Sequence, residues 1–231
     1  MSAPLRPSRR ALLAGGLLGV LGCDTERPRT GILGRVDRLN EKVQQALFRP
    51  RKRAPTLGLG ALTPIDEFPQ YHISEEVPLA PAGWMLTVGG LVRQPLALGV
   101  DDLARMPRTD VRVRHHCVVG WSGVASWHGV TVAELAARAG ADPRARFVEF
   151  RSFDNGYWSS WDRESAEHPQ TIIAYGMNGA PLGPGHGAPA RLYSGVKLGY
   201  KMVKYLTEIT FLPHQTGGYW EDQGYEWFAG V

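Results

Sequence analysis

Residues 116–122 read His116-Cys117-Val118-Val119-Gly120-Trp121-Ser122, and they follow a strand-like run that begins at Arg112. The run ends where the glycine-rich turn begins, so Cys117 is expected at the tip of a strand beside cationic side chains. A thiolate in such a place can ligate a soft metal ion. The same run could instead bury Cys117 as a small apolar side chain, which is the usual fate of a lone cysteine.

Cysteine usage narrows the kind of metal site. The chain has two cysteines, Cys23 and Cys117. A zinc site would need further Cys or His ligands at short spacing. His115 and His116 are adjacent, and on a strand they point to opposite faces, so they cannot easily both join Cys117 at one metal. A site with one thiolate therefore favours a cofactor that brings its own ligands.

Several other stretches occur in the same order as in a known family. Together with residues 116–122, they resemble the sulfite-oxidase-like molybdopterin domain, in its single-domain exported branch, over nearly all of residues 61–212. The stretches are Thr63–His72, Trp84–Val92, Trp127–Val130, Phe150–Asp154, His168–Thr171, His186–Leu192 and Gly199–Tyr205.

The resemblance implies a molybdenum–molybdopterin cofactor and a set of site residues. In the family, one protein thiolate joins the pterin's dithiolene sulfurs on molybdenum, and Cys117 matches that ligand. Arg191 and Lys204 match positions that bind the pterin phosphate, where a cation is favoured. Cys117 and Tyr71 are the predicted catalytic residues. The full cofactor-binding set is Tyr71, His72, Cys117, Ser152 (with Asp154 as a substitute), His186, Arg191, Met202, Val203 and Lys204.

The resemblance also bears on the substrate. Sulfite oxidases carry an Arg where alignment from Thr63-Pro64 places Tyr71, and that Arg helps to hold the sulfite dianion. We therefore predict two-electron oxygen-atom transfer to or from a neutral S-oxide or N-oxide, with reduction favoured. The alternatives are a sulfite-oxidising enzyme, a non-catalytic exported binding module, and a hydrolase that uses Cys117 with a histidine. For the hydrolase, no motif for an orienting acid or an oxyanion hole is visible.

The N-terminus is typical of an export signal. Arg9-Arg10 precedes the apolar run Ala11–Gly22, which is twelve residues long. A helix needs about 20 apolar residues to cross a bilayer, so the run predicts a signal rather than a span. The arginine pair resembles a twin-arginine signal, and Val20-Leu21-Gly22-Cys23 resembles a lipoprotein cleavage box. We predict a location on the periplasmic side of the bacterial cytoplasmic membrane, with Cys23 as a possible lipid anchor.

Residues 24–60 are predicted to tether this signal, residues 1–23, to the body. Val36, Leu39, Val43 and Leu47 recur at helical spacing, which predicts a short amphipathic helix followed by a basic linker. Either a solvated linker or contact with anionic lipid headgroups fits this pattern. The body beyond residue 54 carries net negative charge, which argues against nucleic-acid binding.

The sequence indicates a separate electron-transfer partner. The chain contains no CxxCH haem motif and no cysteine set for an iron–sulfur cluster. Electrons for a small-molecule substrate must therefore come from another protein or a small carrier, and by resemblance a membrane haem protein is one such partner.

The body, residues 61–231, is predicted to be a single α+β domain with the mixed α/β sulfite-oxidase-type molybdopterin-binding fold. A helix is expected over Thr131–Ala139, with Thr131 as its cap and Gly140 at its end. The β-like runs bounded by Gly, Pro or Asp are Trp84–Val88, Val111–Val118, Phe147–Phe153, Thr171–Tyr175 and Leu206–Leu212.

Overall fold

The computed structural model describes residues 31–154 and 156–231. The predicted signal at residues 1–23, with Cys23, and the first part of the predicted tether lie outside these residues. The described chain is a mixed α and β structure in which sheet predominates.

The larger sheet has five strands in the order β2-β1-β12-β7-β8. β1 and β12 are parallel, and the other neighbours are antiparallel. Buried and exposed residues alternate at the start of β1, as a sheet with one covered face requires. Its strands are β1 (Leu86–Gly90), β2 (Leu96–Leu98), β7 (Phe147–Ser152), β8 (Trp158–Asp162) and β12 (Leu206–Leu212).

A second sheet and a hairpin carry most of the remaining strands. The second sheet runs β10-β9-β6-β3, and β11 pairs with β9. A two-stranded hairpin of β4 and β5 stands apart from both sheets. These strands are β3 (Thr109–Val111), β4 (Arg114–His116), β5 (Ser122–Val124), β6 (Trp127–Thr131), β9 (Thr171–Met177), β10 (Ala180–Pro181) and β11 (Arg191–Ser194).

Four α-helices are described. They are α1 (Gly31–Leu47), α2 (Val100–Ala104), α3 (Val132–Ala139) and α4 (Arg163–Ala166). The predicted caps of α3 are confirmed, because the Thr131 side chain accepts a hydrogen bond from the Glu134 amide and Gly140 adopts a left-handed φ of 65°. Short 3-10 turns lie at Leu59–Ala61, Pro184–His186 and Gly199–Lys201. Within the described residues, no helix combines the length and apolar character needed to cross a membrane.

The core consists of two packed clusters. The first joins the larger sheet to α3, with Leu135, Phe150 and Trp161 fully buried. The second surrounds Trp127 in the smaller sheet. The strands approach closely at Gly129, where an added Cβ would lie 2.0 Å from the Ile173 carbonyl oxygen. A side chain there would force β6 away from β9, which explains the glycine.

One predicted strand is wrong. Val111–Val118 is two strands rather than one, because β3 pairs with β6 in the smaller sheet while β4 pairs with β5 in the hairpin. Between them the Arg112 carbonyl accepts a hydrogen bond from the Leu57 amide, and the Arg112 guanidinium donates to the Leu57 carbonyl. These bonds to a preceding segment take the chain out of the first sheet and turn it toward the hairpin.

The segment that follows α1 is bound to the body. The Ala54 amide and carbonyl both hydrogen-bond the side-chain amide of Gln170, at 2.8 and 2.9 Å. The Phe48 ring packs edge-on against Phe228, with 5.8 Å between ring centroids. The predicted boundary at residue 60 stays a prediction, but residues 48–57 have fixed contacts on the body.

Candidate active site

A cavity of about 290 Å³ lies where the β4–β5 hairpin meets the loops at the ends of the two sheets. It draws on segments far apart in the sequence. Its walls come from the loop before β1, the hairpin turn, the β7–β8 turn, the first residue of β11, residues 199–205 and the C-terminal segment.

Cys117 lies in the hairpin turn and lines the cavity. The Cys117 amide donates to the Trp121 carbonyl at 3.0 Å, and the Gly120 amide donates to the Cys117 carbonyl at 3.1 Å. Gly120 has a φ of 97°, which a side chain would disfavour. His115 is buried against the cavity whereas His116 is exposed, as strand alternation predicts. The turn thus presents the Cys117 thiol toward the cavity while its backbone is held by hydrogen bonds.

Two cations form one side of the cavity. The buried Arg191 guanidinium donates to the His186 carbonyl at 3.1 Å, and its carbon lies 4.8 Å from the centroid of Trp127. The Lys204 ammonium donates to the Gly185 carbonyl at 2.8 Å. Neither cation forms an ion pair within the described part of the chain. The buried Arg191 and the partly buried Lys204, neither in an ion pair, suit an anionic ligand, since unpaired charge removed from water is costly.

Burial sets the protonation of this region. Desolvation, followed by repulsion from Arg191, lowers the pKa of Lys204 to about 7. The same two causes lower the pKa of His186 to about 4 and that of His115 to about 3. Both histidines are therefore neutral near pH 7. Desolvation lowers the pKa of Arg191 to about 10, so this guanidinium remains charged.

The cavity walls contain polar atoms that the described chain leaves without a hydrogen-bond partner. They are His115 Nδ1, Trp121 Nε1, His186 Nε2 and the Tyr205 hydroxyl. Such orphaned groups are rare in native proteins and are costly unless a ligand or water satisfies them. A pterin with its ring nitrogens and phosphate would supply both acceptors and negative charge, so these walls fit that cofactor. Over residues 31–154 and 156–231, no cluster of three His, Cys, Asp or Glu side chains could hold a metal ion.

The structure brings most of the predicted site residues together. Those that line the cavity are Tyr71, His72, Cys117, His186, Arg191, Met202 and Lys204. Val203 lies behind them with its side chain fully buried in the first core cluster. The Ser152 hydroxyl donates to the Tyr205 carbonyl and accepts from the Asp154 amide, so this side chain supports the wall rather than forming it.

Asp154 lines the cavity where Ser152 does not. Its carboxylate accepts hydrogen bonds from the Ile73 amide, at 3.0 Å, and from the Ser74 hydroxyl. These contacts tie the loop of residues 71–74 across the β7–β8 turn. Tyr71 remains 62% exposed at the rim of the cavity. These hydrogen bonds hold the loop, and Tyr71 with it, at the edge of the cavity.

An aromatic wall was not predicted from the sequence. Tyr157, Trp220 and Tyr225 line the cavity together with Tyr200. The Tyr157 hydroxyl donates to the Tyr200 carbonyl, and the Tyr200 hydroxyl donates to the Glu226 carbonyl at 2.6 Å. The available signal was the dense aromatic content of residues 219–228, where five of ten residues are Trp, Tyr or Phe.

Residues 74–220 match the family described as the oxidoreductase molybdopterin binding domain. The chain belongs to this family. A chain of Azospira oryzae, named as protein-methionine-sulfoxide reductase subunit YedZ1, is 37% identical over 97% of this chain and 88% of its own length. The catalytic subunit of protein-methionine-sulfoxide reductase, MsrP, from Gluconobacter oxydans is 31% identical over 71% of this chain and 55% of its own length.

A solved structure supports the fold. The sulfane dehydrogenase SoxCD from Paracoccus pantotrophus superposes with a TM-score of 0.59 and 22% identity, over 75% of this chain and 52% of that chain. This superposition confirms the predicted fold class, and the family match over residues 74–220 confirms the predicted family. The protein is an enzyme of the molybdopterin-binding oxidoreductase family, and the cavity around Cys117 is its candidate active site.

Proposed function

We propose that the protein is an exported reductase that takes an oxygen atom from a neutral S-oxide or N-oxide at a molybdenum–molybdopterin centre. When bound, the cofactor supplies the two-electron redox chemistry. The reaction consumes two electrons and two protons and leaves the deoxygenated product and water. The observation that carries the proposal is the cavity that joins the Cys117 thiol to the buried Arg191 and the partly buried Lys204, two cations that form no ion pair with the described residues.

Different residues would bind different parts of the cofactor. Cys117 would be the protein ligand of the metal, and Arg191 with Lys204 would hold the phosphate end of the pterin. The orphaned atoms of His115, Trp121 and His186 would bond the rest of the cofactor. His186 is neutral near pH 7, so its ring can donate or accept one hydrogen bond without adding charge.

The cavity rim favours a neutral substrate. Tyr71 is exposed there and carries no charge, and the wall beside it is aromatic, with Tyr157, Trp220 and Tyr225. Aromatic walls bind apolar groups and can hydrogen-bond through their polar atoms. The relatives named as methionine-sulfoxide reductase subunits support an S-oxide as the substrate class.

A direct comparison of substrates tests this proposal. We expect steady turnover of small sulfoxides with a reduced dye, and little sulfite oxidation with an electron acceptor. Tyr71→Arg should lower sulfoxide turnover and raise sulfite oxidation several-fold, because it restores a cation at the rim. Tyr71→Phe is the matched control, since it keeps the ring without adding charge. Efficient sulfite oxidation by the unaltered enzyme, with negligible sulfoxide reduction, would overturn the proposal in favour of a sulfite-oxidising enzyme.

The electron donor is proposed to be a separate protein. The word subunit in the names of two relatives supports a partner for this chain. A membrane haem protein would deliver electrons on the periplasmic side, where twin-arginine export would place the folded holoenzyme.

Export has its own test. In an Arg9→Lys, Arg10→Lys variant, we expect the protein to remain in the cytoplasm, because twin-arginine export depends on the arginine pair. Cell fractionation measures this, with Arg6→Lys as the matched control that leaves the pair intact. Undiminished periplasmic protein in the double variant would reject the twin-arginine route, and the mass of the mature N-terminus would decide lipidation of Cys23.

A further inference from the structure

Helix α1 is amphipathic, but its apolar side faces outward. Ile32, Leu39 and Leu47 are 79%, 62% and 73% exposed, and Val36 and Val43 join them at helical spacing. These five residues form a continuous stripe along the helix, which we call the apolar stripe. A helix on a globular body normally turns such a stripe toward the core.

The opposite, polar face of α1 binds the body. Gly34 is buried, and Glu41 and Gln44 are partly buried. The Gln44 side chain contacts the Glu226 carboxylate and accepts from the Gly230 amide at 3.3 Å. The Glu41 carboxylate accepts a hydrogen bond from the side-chain amide of Gln215 at 3.2 Å. The helix is therefore held by polar contacts to the C-terminal segment, and its apolar stripe has no cover among the described residues.

Basic residues lie beside the stripe. Arg35 and Lys42 are exposed on one flank of it, and the exposed Arg38 lies farther round the helix, beside the groove between α1 and the body. The helix then leads directly into the exposed Arg49, and the basic cluster ends with Arg51, Lys52 and Arg53. Long basic side chains can lie along an apolar surface while their charges reach an anionic partner. An apolar stripe with basic edges is the pattern of helices that lie in the plane of an anionic membrane surface.

We propose that α1 is a membrane-docking helix, which seats its apolar stripe in the headgroup region of an anionic bilayer. Charge complementarity selects this occupant. A second copy packed stripe to stripe would bring the same basic residues close together, whereas anionic headgroups would neutralise them. Cys23, the predicted lipid anchor, lies eight residues before Gly31 at the start of α1 and would place the helix near a membrane. The inference does not depend on the proposed substrate or redox chemistry.

Photo-crosslinking identifies what covers the stripe. The full chain with its cofactor, carrying a benzoyl-phenylalanine at Leu39, is irradiated on vesicles of phosphatidylglycerol and phosphatidylcholine. We expect lipid adducts at Leu39 and few at Gln45, which lies on the side of α1 away from the stripe. Because the helix itself is probed, attachment through residues 1–23 alone would not produce this difference. Vesicles of phosphatidylcholine alone should give a several-fold lower yield at Leu39.

A charge placed on the stripe should abolish the contact. Val43→Glu should lower the adduct yield at Leu39 about tenfold, whereas Asn40→Glu, which adds the same charge without removing an apolar side chain, should change it less than about twofold. Dye-linked turnover of both variants should equal that of the unaltered chain, since α1 contributes no residue to the active-site cavity. Equal lipid adducts at positions 39 and 45, adducts at neither, or adducts to a second copy or another protein at position 39 would each overturn the proposal.

Discussion

Cys117→Ala should abolish oxygen-atom transfer while leaving the fold intact. The proposed metal centre has one protein thiolate, and an alanine provides no ligand to replace it. The hairpin turn should survive, because its hydrogen bonds join backbone atoms of Cys117, Gly120 and Trp121. The measurement is dye-linked sulfoxide turnover of purified protein, with molybdenum and pterin content determined on the same sample. We expect pterin to be retained in part, since Arg191 and Lys204 are unchanged.

The second cysteine provides the control for this experiment. Cys23→Ala removes a thiol outside the described residues and should leave turnover of the purified enzyme unchanged. A Cys117→Ala enzyme that kept full activity with molybdenum bound would contradict the assignment of Cys117 as the ligand. Loss of activity together with loss of the circular dichroism signal would instead show that Cys117 is needed for folding.

Arg191→Ala should lower cofactor affinity by about tenfold or more. A charge-assisted hydrogen bond contributes roughly 1.5–3 kcal/mol, and 1.4 kcal/mol corresponds to tenfold in affinity. The Arg191 guanidinium is buried without an acidic partner among the described residues, so its removal leaves no carboxylate uncompensated. The stability of the cofactor-free chain should therefore not fall through loss of an ion pair. Molybdenum occupancy at limiting cofactor measures the effect, and Arg191→Lys, which keeps the charge, should lose less.

The same pair of cations predicts a pH dependence of cofactor binding. In the cofactor-free protein the pKa of Lys204 is lowered to about 7, so Lys204 gains its proton as the pH falls through 7. Cofactor affinity should therefore rise as the pH falls from 8 to 7. This pH range lies above the second ionisation of the phosphate, near pH 6. Lys204→Arg should flatten this rise because a guanidinium stays protonated. Two results together would count against a phosphate bound by Arg191 and Lys204. They are an unchanged molybdenum occupancy in Arg191→Ala, and a pH dependence of cofactor affinity in Lys204→Arg that equals that of the unaltered chain.

Local structure was predictable where the signal lay within a few residues. The Thr131 cap and the Gly140 terminus bound α3 as expected, because both act through their own backbone turn. The prediction of a single strand over Val111–Val118 was wrong for the opposite reason. Its break at Arg112 depends on hydrogen bonds to Leu57, a residue more than fifty positions earlier, and no local pattern encodes that contact.

In the active site too, local features could be predicted from the sequence and contacts between distant residues could not. Cys117 stood out from its neighbours, but the convergence of Tyr71, Arg191 and Lys204 on one cavity follows from the topology. Those residues were predicted through the resemblance to a family, which carries three-dimensional information that spacing lacks. The wall formed by Trp220 and Tyr225 was missed because it lies in a C-terminal segment with no regular periodicity, which packs against the body.

Metal and pterin analysis of the purified chain is the most direct test of the account. The protein should be expressed with its export signal in a host that makes molybdopterin, and then analysed for metals and for the oxidised pterin. The account predicts one molybdenum and one pterin for each chain, with both lowered in Arg191→Ala and molybdenum lost in Cys117→Ala. Stoichiometric zinc, or a chain active in oxygen-atom transfer without pterin, would contradict it.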